Sequence, residues 1–412
     1  MTKKTPAIFI ALPVLCEHEN LPAFLHNIQA QDYAGKVNLF VCVNQPDEWW
    51  DKPEKLPVCL DNARSLAMLK SLDDQHIKII DRSSRGKGWV GRQHGVGFAR
   101  REVMQAIIET ANDSDVIISL DADTTFSKAY LSSVAKALKA NPEATALSVT
   151  YYHHLSGNEI ADRAILRYEI YMRCYAINML LIGSPYAFTA LGSAIALTVK
   201  NYKGIGGITP KMSGEDFYFL QKLRKKGPLL LWNEEKAYPA ARFSDRVYFG
   251  TGPAMIKGAA GDWSSYPIYH QDWFTEIKAT YDLFPTLYAQ DIATPMDQFL
   301  AEAFPGEMIW EKLRKNAASV DKFIRACHEK IDGLRVLQYL KWRQRQAPVS
   351  DAESLIEFLS QHYPDENILS ILPAIKEFNF STLPLETLNM IREMLVNKED
   401  GMLRESWEKR RK

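Results

Sequence analysis

An α/β domain on a mostly parallel sheet, followed by an α-helical C-terminal region, is the fold the sequence predicts, on three observations. Strand-like and helix-like segments alternate through the first third of the chain, the pattern of parallel strands joined by helical crossovers. Past about residue 260 the β-type alternation gives way to helical periodicity, as in IWEKLRKNAASVDKFIRACHEKI and SLIEFLSQHY. The chain, at 412 residues, is also too long for one ordinary core. Two domains are therefore expected, 1–258 and 259–412.

The first strand is AIFIALPV (7–14), and NLPAFLHNIQAQ follows with Leu21, Leu25 and Ile28 on one helical face. VNLFVCVN (37–44) is the second strand, with a helix near Ala63–Leu72 after it. HIKIID (76–81) alternates as a third strand, and GFARREVMQAIIETA reads as the next helix. DVIISLD (115–121) is the fourth strand, followed by a helix carrying Leu131, Val134 and Leu138 in register; ATALSVT (144–150) is the fifth. In the C-terminal region Ser350 and Glu353 form a capping-box signature. Pro348, Pro364, Pro373 and Pro384 punctuate what remains.

Composition narrows the functional classes. Lys+Arg and Asp+Glu both number 50, so the formal net charge is zero, which argues against a nucleic-acid partner. The cysteines Cys16, Cys42, Cys59, Cys174 and Cys327 are odd in number and lack CxxC spacing, so neither a disulfide framework nor a zinc site is expected. A reducing cytoplasm is the expected location. The N-terminal apolar run meets Pro13 and then Glu17 and Glu19, and reads as a strand, not a signal peptide. The uncharged run 175–199 is long enough to cross a bilayer, but Gly183, Ser184 and Pro185 interrupt it. A helix, a turn and a buried strand explain it better, with peripheral membrane contact left open.

The chemistry gathers at strand ends. In VIISLDADTTF an apolar run is followed at once by Asp121 and Asp123, where a parallel sheet binds its ligands. Like charges this close need a counter-charge or hydrogen bonds, which solvent or a divalent cation could supply. Nucleotide loops of other classes fail. RGKGWVG has Asp81 where a Walker loop needs its first glycine, and no Ser or Thr after Lys87. GVGFAR has Arg100 where a dinucleotide fingerprint needs its third glycine, and an EF-hand beginning at Asp121 fails at Phe126 and Ser132. A carboxylate pair suited to Mg2+ or Mn2+ survives. Around it stand Glu17 after strand one, Asn44 ending strand two, Lys87 and Arg92 after strand three, and Glu215 and Asp216 opening an amphipathic helix.

These motifs, in this order, resemble family 2 glycosyltransferases of the GT-A fold, over roughly residues 5–250. PVLCE, with Pro13 and Glu17, is similar to their P-x-Y-N-E element, with Cys16 in place of Asn. RGKGWVGRQHG resembles their G-K-x-x-A-R-N-x-G loop through Lys87, Arg92 and Gly95. Asp121-Ala122-Asp123 matches D-x-D, and Glu215-Asp216 matches the E-D pair, preceded by Gly206-Gly207. Asn44 stands where many relatives carry an Asp that contacts the base, which leaves the nucleotide open.

The resemblance implies a GT-A, Rossmann-like, mostly parallel mixed sheet flanked by helices. It also implies transfer of a sugar from a nucleoside diphosphate to a hydroxyl acceptor, with inversion. Asp121 and Asp123 would hold Mn2+ or Mg2+, with His270 as a late third ligand, and Asp216 would be the base. Pro13, Glu17, Asn44, Lys87, Arg92, Asp121, Glu215 and Arg246 would line the nucleotide-sugar site. Plainer readings stay open: a helix cap for Asp216 or Glu17, and a solvated loop for Lys87. Arg242, Asp245 and Arg246 read either as surface ion pairs or as a loop over phosphates. Of His153 and His154, at most one is expected to be functional, because neighbours on a strand face opposite ways. Trp263, Tyr266 and Trp273 could stack on a sugar or pack in a core. Rival readings are a retaining transferase, a nucleotidyltransferase, or a nucleotide-sugar-binding protein without turnover. Acceptor and oligomeric state are unassigned.

Overall fold

Seven consecutive buried residues, Ile8–Val14, form β1, the strand from which the sheet is built outward in both directions. The computed structural model describes residues 5–245, 250–364 and 368–411. On one side β1 pairs in parallel with β2 (Val37–Asn44), which pairs in parallel with β3 (Ile77–Arg82). On the other side β1 pairs in parallel with β4 (Val116–Ser119). The remaining strands are β5 (Thr124–Thr125), β6 (Ala146–Tyr151), β7 (Ile195–Thr198) and β8 (Leu229–Pro239). The full order is β3-β2-β1-β4-β7-β6-β8-β5, with β7 antiparallel to β4 and β6, and β5 antiparallel to β8. The fold is thus the expected α/β class: a mostly parallel mixed sheet flanked by helices, with a helical C-terminal region.

The helices of this part are α1 (Leu21–Gln29), α2 (Leu56–Ser71), α3 (Val96–Ile108), α4 (Tyr130–Ala140), α5 (Glu159–Leu181), α6 (Val199–Gly204), α7 (Glu215–Lys226) and α8 (Thr251–Ala259). Pro57 sits in the first turn of α2, where its missing N–H costs nothing, so that helix starts earlier than its apolar periodicity suggests. In α4, Leu131, Val134 and Leu138 are buried as their spacing predicts. β1 lies between β2 and β4, a reversal of strand order of the kind beyond whose carboxyl ends open α/β sheets bind ligands. Glu17, Asn44, Asp121 and Asp123 lie at those ends, and α3, α7 and the segment after β8 supply the other residues of the candidate site.

Contacts divide the chain into two compact units: Met1–Ile165 with Phe188–Ala260, and Leu166–Ala187 with Gly261–Lys412. The second unit therefore includes the C-terminal part of α5 as well as everything from Gly261 onward. Its core packs Leu166, Ile170, Cys174 and Ile177 of α5 against Leu355, Phe358, Leu359, Leu388, Ile391 and Leu395. Ser350 caps the helix Asp351–His362, its hydroxyl accepting the Glu353 N–H at 3.1 Å. The aromatic residues considered for sugar stacking serve this unit. Trp273 is buried, and Trp263 lies against the buried Arg167 guanidinium.

Among the described residues no helix is long and apolar enough to cross a membrane. The uncharged run 175–199 is divided as its interruptions suggest. Helix α5 stops at Leu181, Gly183 takes φ +66, and β7 begins at Ile195.

Candidate active site

The carboxylates after β4 do not face each other unscreened; each has its own arginine. Asp121 Oδ1 accepts from Arg100 Nη2 at 2.9 Å. Asp123 Oδ2 accepts from Arg242 Nε at 3.0 Å and Nη2 at 2.6 Å. The repulsion implicit in D-A-D is thus relieved by cations that the fold itself supplies.

Arg100 is the organising residue of the site. It lies on the inner stripe of α3 with Gly97, Ala99, Val103, Met104 and Ile107, and is 2% exposed. Its Nε donates to Glu215 Oε1 at 3.0 Å, and its Nη1 to the Gly192 carbonyl at 3.0 Å and to the Ser119 hydroxyl. One planar guanidinium therefore ties the end of β4, the turn before β7 and the start of α7. Burial alone would lower its pKa, but the charges of Asp121, Glu215 and Asp216 outweigh that and raise it, so Arg100 stays cationic. Gly192 makes room for this reach: a Cβ there would lie 2.4 Å from Arg100 Nη2.

Helix α7 begins at Glu215 after Gly214, which is in the left-handed region at φ +72. A Cβ on Gly97 would come within 2.3 Å of the Lys211 carbonyl and 2.9 Å of Glu215 Cβ, so glycine lets α3 and the α7 entry meet. Glu215 is buried on Arg100. Asp216, the second residue of α7, accepts the Phe217 N–H at 2.8 Å. Its pKa is nonetheless pushed up to about 7, first by burial and then by Glu215; the Arg100 charge and the Phe217 N–H pull it down but fall short. Asp216 also stands in the first turn of α7, where an anion suits the helix dipole, so the upward push comes from its burial and from Glu215 against that effect.

Glu17 lies just beyond β1 and is buried. Its backbone carbonyl accepts the N–H groups of Asn20 and Leu21 at the start of α1, whose N-cap Asn20 makes no side-chain cap bond. Its Oε2 accepts from Asn20 Nδ2 at 2.5 Å and its Oε1 from Arg242 Nη2. The turn that carries it is strained at Cys16 (φ +56) and is held from α2, where Asn62 Oδ1 accepts the Cys16 N–H and Asp61 Oδ1 the His18 N–H. Pro13 is buried within β1, in register with Cys42.

Asn44 ends β2 and is 2% exposed. Its Nδ2 donates to the Val14 carbonyl at 2.9 Å and its Oδ1 accepts from Trp89 Nε1 at 3.2 Å. Both ends of the amide are thus engaged in fixing the loop after β3 against the ends of β1 and β2. In that loop Lys87 pairs with Asp81 at 3.3 Å. Burial would raise the Asp81 pKa, but hydrogen bonds from Ser84 and Ser83 and the Lys87 ammonium hold it at about 2. Arg92 is exposed and forms no ion pair among the described residues.

Arg246 lies outside the described residues. His270 belongs to the second unit, where its Nε2 meets Glu357 Oε2 at 2.5 Å and its Nδ1 accepts the Asp272 N–H at 3.3 Å. Both ring nitrogens have partners there. His153 is buried and His154 exposed, stacked on Tyr238 at 4.7 Å, so the two do point opposite ways.

The structure thus joins Asp121 and Glu215 through Arg100, with Asp216 next to Glu215, and Glu17 with Asp123 through Arg242. Arg100 was missed as a site residue. The signal was present: an arginine on the apolar stripe of a helix is buried only when paired.

A divalent ion fits the donor set in kind, since Asp121 and Asp123 offer hard oxygens and the second oxygen of Asp121 carries no hydrogen bond among the described residues. No group of three or more His, Cys, Asp or Glu residues is placed to share a metal among the described residues. The remaining ligands would then be phosphate oxygens and water.

No family model matches the chain, and no curated protein matches it. Solved structures similar to it include a mannosyltransferase from Pyrobaculum calidifontis in complex with GDP-Man and Mn2+, at 14% identity and TM-score 0.39, over 81% of this chain and 89% of that one. S. aureus TarS is similar at 10% identity and TM-score 0.39, over 82% of this chain and 55% of that one. Glucosyl-3-phosphoglycerate synthase from Mycobacterium tuberculosis, in complex with Mn2+, UDP-glucose and phosphoglyceric acid, is similar at 10% identity and TM-score 0.34, over 56% of this chain and 69% of that one. Likenesses this weak say nothing of what this chain does.

Proposed function

We propose that the chain is a glycosyltransferase that moves a sugar from a nucleoside diphosphate to a hydroxyl, with inversion at the anomeric carbon. The observation that carries this reading is the Arg100 bridge. One buried guanidinium joins a carboxylate at a strand end to the start of α7, next to a carboxyl whose pKa is near 7. A cation-binding group and a proton acceptor then belong to one rigid frame, which in-line displacement at a sugar carbon requires.

Asp121 and Asp123 would hold Mn2+ or Mg2+. When bound, such an ion supplies Lewis-acid neutralisation of the charge that builds on the leaving diphosphate. Arg100 keeps Asp121 oriented from behind, and Asn44 and Trp89 keep the loop after β3 in place. Lys87 and Arg92 supply donors for phosphate oxygens. Asp216, deprotonated, takes the proton of the incoming hydroxyl on the face of the sugar opposite the diphosphate, while Glu215 stays locked on Arg100. Glu17 serves the nucleotide-sugar side through Arg242. The cytoplasmic location remains part of this proposal.

Product analysis tests the reading. With a panel of nucleoside-diphosphate sugars and Mn2+, slow turnover onto water or an added polyol is expected to release the nucleoside diphosphate and a sugar of inverted anomeric configuration. Release of pyrophosphate would identify a nucleotidyltransferase, and retained configuration would remove Asp216 from the role of base.

A further inference from the structure

Arg242 occupies the place where the carboxylates invite a metal. Its Nη2 lies 2.6 Å from Asp123 Oδ2 and also donates to Glu17 Oε1, bridging the ends of β4 and β1. Backbone pairing fixes the segment that carries it. Thr124 and Thr125 pair with Pro239 and Tyr238, and the Ala240 N–H donates to the Asp123 carbonyl at 3.1 Å. Arg242 is 31% exposed, whereas Glu17 is 7% and Asp123 17% exposed, so the guanidinium closes the outer side of an acidic pair. Those charges outweigh the opposing effect of burial and raise its pKa, so it stays cationic.

A guanidinium 2.6 Å from Asp123 Oδ2 and a divalent ion on the same oxygen repel each other, so metal binding there works against the Arg242 contact. A cation displaced from there remains tethered within reach of the same space, and its planar fork matches two phosphate oxygens. We propose that Arg242 is a resident cation of the diphosphate subsite: it holds Asp123 and Glu17 while no metal is bound, and passes to the donor's phosphate oxygens when a metal takes Asp123. The inference rests on the glycosyltransferase reading of this site and adds the residue that couples metal binding to diphosphate binding.

The two roles have opposite signs, which a purely structural ion pair does not share. In Arg242→Met, Mn2+ alone, followed by the electron paramagnetic resonance signal of the free ion, is expected to bind about tenfold or more tightly than in wild type, because a competing positive charge is gone. With saturating Mn2+, the best-bound of UDP, GDP, ADP, CDP and dTDP is expected to bind about ten- to a hundredfold more weakly, the loss of a charged hydrogen-bond donor. Arg242→Lys keeps the charge without the fork; it should leave Mn2+ binding near wild type and lose part of the diphosphate affinity, and it tests the proposal if the Met variant does not fold. Unchanged or weaker Mn2+ binding in the Met variant would overturn the proposal, as would unchanged diphosphate affinity. Failure of wild type to bind any nucleoside diphosphate with Mn2+ would instead sink the glycosyltransferase reading, while the Mn2+ titration still decides whether Arg242 competes.

Discussion

Asp216→Asn is expected to lower the rate of sugar transfer about 10²–10⁴-fold while leaving the binding of nucleoside diphosphate and metal nearly unchanged. The amide has the size of the carboxyl and still accepts the Phe217 N–H, but it cannot take a proton. The pH profile gives a second readout. Burial and the neighbouring Glu215 raise the Asp216 pKa to about 7, so the basic form is scarce at pH 6 and predominant at pH 8. Wild-type activity should therefore rise with pH through about 7, and the residual activity of the variant should lack that rise.

Stability should move the other way. The folded-state pKa is above the model value of 3.8, so between about pH 4 and pH 7 the folded chain binds the proton more tightly than the unfolded chain. That contribution to stability is fully present below about pH 4 and is lost as pH rises through about 7. The asparagine variant, which never carries the charge, should be as stable as wild type only below about pH 4 and increasingly more stable as pH rises to about 8. A variant that was inactive and also less stable at pH 8 would point to a structural role for Asp216.

Arg100→Met is expected to destabilise the α/β unit by about 3–5 kcal/mol, the cost of stranding buried charges when one partner of a buried ion pair is removed. Glu215 is 3% exposed and would face Asp121 with no cation between them. The Ser119 hydroxyl and the Gly192 carbonyl would lose their donor as well. Urea unfolding followed by circular dichroism reads the difference. Arg92→Met, at an exposed arginine, provides the comparison and should stay within about 0.5 kcal/mol of wild type. Arg100→Lys should recover only part of the loss, because an ammonium cannot reach four acceptors arranged for a planar fork. Equal stability of the Arg100 and Arg92 variants would mean that the bridge does not hold the site together.

Of the five strands read in the sequence, β1, β2, β4 and β6 are almost wholly buried and predominantly apolar, so hydrophobic pattern locates them, whereas the only partly buried β3 was read from its alternation. β8 was hidden for a physical reason. Between Trp232 and Lys236 its register against β6 shifts, and the polar stretch Asn233-Glu234-Glu235 falls in that irregularity. β5 has only two residues, too short for any period, yet it fixes the segment carrying Arg242. The carboxylates of the site were legible because acids directly after buried strands need explanation. Their counter-ions were harder to find, since Arg100 and Arg242 are far in sequence from Glu215 and Glu17, and only the folded chain brings them together. Asn44, expected to line the nucleotide-sugar site, has both ends of its amide engaged on Val14 and Trp89, contacts that only the folded chain brings together.

The central claim is that Asp121 and Asp123 form part of a metal-dependent nucleoside-diphosphate site. Thermal unfolding of wild type and Asp123→Ala against UDP, GDP, ADP, CDP and dTDP, each with Mn2+ or with EDTA, tests it most directly. A ligand at about 100 times its dissociation constant adds roughly 2.7 kcal/mol of stability, enough to read as a shift in Tm. The account predicts stabilisation of wild type by at least one nucleoside diphosphate, dependent on Mn2+ and lost in Asp123→Ala. No shift with any of the five in the presence of Mn2+ would contradict it, and would leave the two aspartates as a strand end neutralised by Arg100 and Arg242.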